Sequence, residues 1–330
     1  MPEPSPTPFR RGRLLRFGAA VAVLLALAGY LTAQYLTGGR APRCKVVSGH
    51  GDDVSYQFTP EQAVNAATIS AVGSTRGMPE RAVTIALATA LQESGLRNIP
   101  HGDRDSLGLF QQRPSQGWGS EKQILDPTYA AAKFYDHLEK VQGYAQLPLT
   151  VAAQRVQRSG YPQAYAKHEP DATLLAAALT GHAAATLTCE GLPGTTTPTG
   201  GPDAVRAALA RDFGREVFQV AGAEVSAGSQ HASRSPSPSP SPSTTGVAGA
   251  RTVTVPVPDG TGSESSRRQH GWELAHWAVA NSSTLHITRV SYAGRSWSAG
   301  RWVSAWHTDA GSSAQQSTGS TAVVRIVTGQ

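Results

Sequence analysis

Cysteine is almost absent from this chain, whose 330 residues include only Cys44 and Cys189. Neither belongs to a Cys-x-x-Cys pair, which argues against a zinc or redox centre built on thiolates. The two cysteines lie near the ends of what we predict to be the first folded domain. In an oxidising compartment we therefore predict one disulfide between them, with two unpaired thiols as the alternative.

Charged residues are also scarce, at 16%, whereas glycine (34) and proline (22) are abundant. This composition indicates about two globular domains joined by low-complexity spacers. The net charge is +6, but the sequence has neither zinc-finger spacing nor arginines interleaved with aromatic residues. We therefore exclude nucleic acid as the expected partner. The positive charge suits an anionic cell envelope, or it is simply scattered over a solvated surface.

Several catalytic motifs are missing. The chain has no Gly-x-Ser-x-Gly, no phosphate-binding loop and no histidine pair at metal-ligand spacing. We therefore expect no metal ion and no cofactor. His276 and His286 are expected to be ordinary surface or core residues.

One long uncharged segment lies near the N-terminus. Residues 17–36 contain no charged side chain. As a helix, this segment is long enough to cross a hydrocarbon core of ~30 Å. Four arginines precede the segment, at positions 10, 11, 13 and 16. Positive flanks stay in the cytoplasm, so we predict a cytoplasmic tail over 1–16, a single-pass anchor in the cell membrane and an extracytoplasmic body. A cleaved signal peptide ending near Ala33 is the alternative.

The rest of the chain divides by composition into four parts. Residues 37–56 predict a polar tether, and 57–190 predict a helical domain with no convincing strand. Thr59 and Gln62 form a capping-box pattern at the start of its first helix. Residues 82–91 are so apolar that their helix is expected to be buried all round.

The C-terminal part has a different pattern. Residues 191–202 read as a linker, and 203–330 predict a small α+β domain, in which 216–220 form a short strand and a Ser-Pro-rich insertion covers 233–246. Alternatively, 203–232 belong to neither domain. Five of the six tryptophans lie in this part, at positions 272, 277, 297, 302 and 306. We expect them either to bind wall glycan or to form the core.

Glu93 is the strongest candidate catalytic residue. It closes the apolar helix over 82–91, and Gly95 follows it closely. Desolvation and the negative end of a helix both raise a carboxyl pKa. A raised pKa is what a general acid needs to protonate a glycosidic oxygen near neutral pH. An exposed glutamate at a helix end is the alternative.

The residues around Glu93 form a pattern. Glu93-Ser94-Gly95-Leu96 is followed, fifteen positions after the glutamate, by Gly108-Leu109-Phe110-Gln111. This order resembles the lytic transglycosylases and goose-type lysozymes, whose motif is Glu-Ser-x-aromatic/aliphatic followed by Gly-Leu-Met-Gln. The resemblance, which covers 57–190, implies a lysozyme-like helical domain. Together with one N-terminal transmembrane helix and the small α+β domain, the expected fold is mainly α.

Further along the chain, Ala153–Ser159 and Ala164-Tyr165-Ala166 resemble the downstream helix of actinobacterial members of this superfamily. Val156-Gln157 stands where lytic transglycosylases have a Tyr-Asn pair facing the cleft. Asp105-Ser106 stands where the family usually has Gly-Ala. Both departures concern the positioning of the substrate.

The resemblance implies one catalytic glutamate, Glu93, that acts first as acid and then as base. The N-acetyl group or 6-hydroxyl of the sugar would assist and give an anhydro product. We expect substrate-binding roles for Ser94, Gln111, Gln157 and Tyr129, and Trp118 and Tyr129 either stack on sugar rings or pack in the core. A second carboxylate across the cleft would instead favour direct hydrolysis, the candidates being Asp103, Asp105 and Asp126. The alternative is a structural role for each, with Asp126 as the N-cap of a helix and Asp103 and Asp105 in a turn-rich loop.

The sequence thus predicts a membrane-anchored enzyme, a lytic transglycosylase or muramidase, that cleaves the β-1,4 glycan strands of peptidoglycan. The alternative is a non-catalytic, lysozyme-like protein that binds or organises the cell wall. A channel component is disfavoured, because one apolar span cannot line a pathway by itself.

Overall fold

The structure is a computed structural model that describes residues 19–30, 32, 42–190, 200–218, 251–257, 263–300, 305–309 and 322–329. The predicted cytoplasmic tail, most of the linker over 191–202, the Ser-Pro-rich insertion and Trp302 lie outside the described residues. Residues 19–30 are helical. No helix in the described ranges combines the length and the apolar character needed to cross a bilayer. The predicted span over 17–36 is described only in part, so the anchor stays a prediction.

The compact unit runs from Pro42 to Gln330. Its described part is a mixed α+β structure with two small sheets. The elements before the linker are β1 (Cys44–Val47), β2 (Ser55–Phe58), α1 (Pro60–Thr75), α2 (Glu80–Ser94), α3 (Glu121–Ile124), α4 (Pro127–Leu138), α5 (Leu149–Gln157), α6 (Glu169–Leu179) and β3 (Leu187–Cys189). Short 3₁₀ turns cover Pro114–Gln116, Tyr144–Gln146 and Ala166–His168.

The elements after the linker are α7 (Pro202–Phe213), a 3₁₀ turn (Arg215–Phe218), β4 (Thr252–Pro256), α8 (Glu264–Ala280), α9 (Ser282–Leu285), β5 (Ile287–Tyr292), β6 (Arg295–Ser298), β7 (His307–Thr308) and β8 (Val323–Thr328). The five strands form an antiparallel sheet in the order β4-β8-β5-β6-β7. The strand predicted over 216–220 is wrong for 216–218, where the chain forms a 3₁₀ turn.

Local sequence signals set the ends of the helices. Thr59 and Gln62 make both bonds of the predicted capping box, with Gln62 Oε1 accepting from Thr59 N at 2.7 Å and Thr59 Oγ1 accepting from Gln62 N at 3.3 Å. Asp126 caps α4 by accepting from Thr128 N and Tyr129 N. The helix α2 is buried along the whole of 82–91, as predicted. It ends at Gly95, whose φ of 62° is left-handed.

The sequence predicted no strand over 57–190, and this prediction is wrong. The polar tether predicted over 37–56 is also wrong for the residues that form β1 and β2. These two strands and β3 build a three-stranded antiparallel sheet in the order β2-β1-β3. Cys44 lies directly opposite Cys189 in the register of β1 and β3, and the two form the predicted disulfide. The bridge therefore fastens the two ends of the helical part to each other.

The helix α8 joins the C-terminal sheet to the helical part, since its residues 271–280 are buried on every side. His276 is fully buried there. Its Nδ1 donates to Ala178 O at 2.7 Å, while its Nε2 accepts from Thr186 N at 3.2 Å. Both ring nitrogens are thus satisfied by backbone groups of the helical part, which fixes the neutral form of the ring. His276 is a core residue, one of the two roles expected for it.

Asp212 makes a second connection between the two parts. Its side chain is fully buried at the end of α7. Oδ2 accepts from Trp277 Nε1 at 2.8 Å and from Thr68 Oγ1 at 3.3 Å, and Arg211 adds a bidentate ion pair. One carboxylate therefore links α1, α7 and α8. These charge-assisted hydrogen bonds offset the free-energy cost of burying the carboxylate of Asp212.

Candidate active site

Glu93 is the second-last residue of α2, and its carboxylate is half-buried at the edge of the core. The buried helix fixes its backbone. Gly95 then turns the chain, and its N–H bonds back to Ala90 O and Leu91 O. The glutamate is therefore held at a rigid helix end, as the sequence predicted.

Tyr165 holds the glutamate from the other side. Its hydroxyl donates to Glu93 Oε1 at 2.6 Å, and its ring is completely buried. The sequence pattern Ala164-Tyr165-Ala166 did not predict a role for Tyr165 at the site. The signal that could have indicated this role is the place of Tyr165 in a segment that resembles the downstream helix of the lysozyme-like superfamily. A buried hydroxyl needs a partner, and here the partner is the candidate acid.

The pKa of Glu93 is raised, because burial disfavours the charged carboxylate. Hydrogen bonds from Tyr165 and Gln157 stabilise the charged form and lower the pKa, but burial outweighs them. Burial also raises the pKa of Tyr165, and the charge of Glu93 adds to that effect. Tyr165 is thus a protonated donor across the physiological range, and Glu93 keeps its proton to a higher pH than an exposed glutamate.

The Gly-Leu-Phe-Gln element forms a tight loop beside Glu93. Leu107 and Gln112 form an isolated antiparallel bridge that closes this loop. Gly108 has a φ of 75°, and a Cβ there would lie 2.7 Å from Ile124 O, so only glycine fits. Gln157 Nε2 donates to Phe110 O at 2.6 Å and thereby joins α5 to the loop. The loop and α5 are therefore held as one wall next to the glutamate.

A cleft of about 860 Å³ opens in front of this wall. Its lining includes Glu93, Gln111 and Gln157, three of the predicted site residues, and also Val156 and Trp118. Gln157 Oε1 is buried and has no hydrogen-bond partner among the residues that the structure describes.

The two other predicted substrate-binding residues lie away from the cleft lining. Ser94 is buried, and its hydroxyl donates to Leu109 O at 2.8 Å, so it fastens α2 to the loop. Tyr129 donates to Trp118 O at 3.2 Å and supports that residue from behind. Both contacts support the walls of the cleft, and the substrate-binding roles of Ser94 and Tyr129 stay predictions.

Aromatic side chains do line the cleft. Trp118 stacks on His137 with ring centroids 4.1 Å apart and an interplanar angle of 23°. Tyr161 also lines the cleft and is 78% exposed, which is unusual for so large an apolar ring. Flat, accessible rings at a cleft are suited to sugar faces. Trp118 was among the predicted stacking residues, whereas His137 and Tyr161 were not.

The three candidate second carboxylates have different surroundings. Asp126 is the cap of α4. Asp105 accepts from Ser115 N at 2.8 Å and from Arg113 Nε at 2.6 Å. Hydrogen bonding with Ser115, and after it with Arg113, holds the pKa of Asp105 well below the usual range. Asp103 lines the cleft. Of the three, Asp103 alone shares the cleft lining with Glu93.

The tryptophans of the C-terminal part are packed in the core or against it. Trp277 and Trp297 are among the largest fully buried side chains. Trp272 packs edge-on against both Tyr292 and Trp306, with centroids 5.4 and 5.1 Å apart. For these four residues the core explanation applies, rather than an exposed glycan-binding surface. In the described ranges, no cluster of His, Cys, Asp and Glu has the arrangement of a metal site.

No protein-family model matches this chain, and no curated protein matches it significantly. The functional assignment therefore depends on the geometry of the cleft and on the motif resemblance.

Proposed function

We propose that this chain cleaves the β-1,4 glycan strands of peptidoglycan with Glu93 as the general acid. One observation carries the proposal. A half-buried glutamate with a raised pKa lines an open cleft and is held at 2.6 Å by the buried Tyr165. Burial keeps the proton on Glu93, and the hydrogen bond fixes the direction of its carboxyl group.

The proposed reaction begins with proton transfer from Glu93 to the glycosidic oxygen. The bond between C1 and that oxygen breaks, the oxygen leaves as a hydroxyl, and positive charge develops on the sugar ring. Glu93, now a carboxylate, stabilises this charge. It then removes a proton from the 6-hydroxyl of the same sugar, whose oxygen bonds to C1 and gives an anhydro product. Alternatively it removes a proton from a water molecule, whose oxygen bonds to C1 and gives a reducing end. Either route returns the proton to Glu93.

Other residues of the cleft would position the glycan. Gln111 and Gln157 line the cleft and would present their amides to the N-acetyl groups. Trp118 and Tyr161 offer ring faces to the sugars. Val156 replaces a family tyrosine, so it can supply apolar contact but no hydrogen bond.

An exported location fits this activity. The four N-terminal arginines and the uncharged span predict a single-pass protein of the cell membrane with an extracytoplasmic body. The disulfide between Cys44 and Cys189 is in keeping with an oxidising compartment. Both features support a location where peptidoglycan is accessible.

The test is to incubate the purified full-length protein with bacterial sacculi and identify the soluble products by mass spectrometry. Wild-type protein should release muropeptides, with either anhydro or reducing ends. Glu93→Gln keeps the shape and loses the proton, so release should fall at least ~100-fold. Glu121→Gln, an exposed change at the start of α3, is the matched control and should release products normally.

The non-catalytic alternative predicts a different result. Wild-type protein and the Glu93→Gln variant would bind sacculi equally and release nothing. Near-normal release by Glu93→Gln would defeat the assignment of the acid.

A further inference from the structure

The cleft lining carries more positive charge than acid catalysis requires. Lysine and arginine contribute five lining residues, whereas aspartate and glutamate contribute two, Glu93 and Asp103. Arg113 is neutralised by its ion pair with Asp105. The other four, which we call the basic wall, are Arg104, Lys140, Arg155 and Arg158.

The basic wall is not balanced by neighbouring acids. None of its four side chains forms an ion pair or a hydrogen bond with any residue that the structure describes, and all four are exposed. Burial lowers the pKa of His137, and the positive charges of Lys140 and Arg158 lower it further. Lys133 acts in the same direction, and Asp136 opposes it. The wall is therefore a region of positive potential at the mouth of the cleft.

The backbone gives a second, independent observation. Seven described residues other than glycine have positive φ, and three of them line the cleft. They are Arg104 (φ 57°), Gln111 (φ 48°) and Arg158 (φ 53°). A side chain at such a position meets a steric cost that a glycine would avoid. Arg158 occupies the left-handed position after α5, where glycine is preferred. Two of the four residues of the basic wall, Arg104 and Arg158, thus stand at left-handed backbone positions that line the cleft.

We propose that the basic wall binds acidic groups borne by the glycan, namely the carboxylates of the peptide stems attached to its muramic acid residues. This inference rests on the proposed function and names the feature of the substrate that the cleft selects. The guanidinium fork matches carboxylates geometrically. Stems hang from the sugar next to the scissile bond, so a substrate bound at Glu93 brings them to the rim of the cleft. A neutral sugar chain would leave these cations without a partner.

Phosphate groups of wall polymers have similar chemistry, so the experiment separates the two sources. Full-length protein carrying Glu93→Gln is bound to three preparations: untreated sacculi, sacculi freed of phosphate polymers with hydrofluoric acid, and glycan chains stripped of stems by an amidase. Binding is measured by sedimentation at low and at raised salt. The proposal predicts tight, salt-sensitive binding to the first two preparations and weak binding to the third.

Adding Arg155→Gln and Arg158→Gln should weaken binding to the first two preparations on the order of tenfold and leave binding to the third unchanged. Arg155→Gln with Lys140→Gln is a second pair that avoids the left-handed position. Lys45→Gln with Lys122→Gln removes the same charge from exposed positions outside the cleft lining and should change nothing.

Equal binding of the wall variants and the parent protein to untreated sacculi would overturn the proposal. So would loss of binding on removal of phosphate rather than of stems. The proposed function fails separately, if wild-type protein with Glu93 intact releases no muropeptide from any preparation. Cleavage that does not depend on the wall would defeat this inference alone.

Discussion

The phenol of Tyr165 donates a 2.6 Å hydrogen bond to Oε1 of Glu93, although 72 positions separate the two residues. The bond has two effects on the candidate acid. It fixes the direction of the carboxyl group, and it opposes the rise in pKa that burial causes. Tyr165 therefore limits how far the pKa of Glu93 rises while it holds the group in place.

Replacing Tyr165 with phenylalanine should change the pH profile as well as the rate. Glu93 must be protonated to act as an acid, so activity is lost as pH rises through its pKa. Removing a donor to the charged form raises that pKa, and the basic limb of the profile should move to higher pH. Loss of positioning should lower the rate by about tenfold. Muropeptide release measured from pH 4 to 9 tests both effects.

Tyr135→Phe is the matched control for this change. Tyr135 is equally buried, but its hydroxyl donates to Ile69 O at 3.0 Å, away from the cleft. This variant should lose stability without moving the basic limb. If Tyr165→Phe left the limb where it is in wild type, the hydrogen bond would have no influence on the titration of the acid.

The features that were predictable from the sequence are those set by near neighbours. The cap at Thr59, the cap at Asp126 and the buried helix α2 each depend on residues within a few positions of one another. The loop with Gln111 was found because its motif lies close to Glu93. In each case the chemistry that fixes the structure lies within one short window of sequence.

What was missed depends on distant pairs. The strands β1 and β3 have four and three residues, too short for a periodic pattern, and β3 joins its neighbour 145 positions away. Tyr165 reaches Glu93 only through the packing of the domain. Ser94 was predicted to bind substrate from the Glu-Ser motif, and the motif alone does not show that its hydroxyl donates to Leu109 O, fifteen positions away.

Acid should destabilise the protein through His276. Burial lowers the pKa of this histidine to about 4, against 6.5 for the free group. The unfolded state therefore binds more protons between these values, so the contribution is complete above pH 6.5 and is lost as pH falls toward 4. The free energy of unfolding should drop by about 2–3 kcal/mol from this group between pH 7 and 4.5.

Denaturant unfolding at the two pH values measures this drop. His276→Gln lowers stability at pH 7 but should show a smaller loss on acidification, because the titrating ring is gone. His307→Gln, at an exposed position, should keep the full wild-type dependence. Parallel pH dependence in wild type and His276→Gln would show that other groups cause the acid sensitivity.

The disulfide should contribute strongly to stability, because it closes a long loop. Cys44 and Cys189 are 145 positions apart, and the structure describes no free cysteine. Changing both to serine should lower the free energy of unfolding by about 2–5 kcal/mol. Thiol labelling of the denatured protein should find no free thiol before reduction and two after it. Labelling of both cysteines without reductant would contradict the bridge.

The last prediction concerns topology. Four arginines precede the uncharged residues 17–36, and arginines are costly to translocate, so the N-terminus should stay inside while the rest of the chain is exported. In intact spheroplasts, the protein should sediment with membranes, and added protease should degrade the unit from Pro42 to Gln330. A tag fused before Met1 should survive until the membrane is broken. Mature protein found free in the medium with an N-terminus near residue 34 would identify a cleaved signal peptide, and the anchor would be wrong while export would hold.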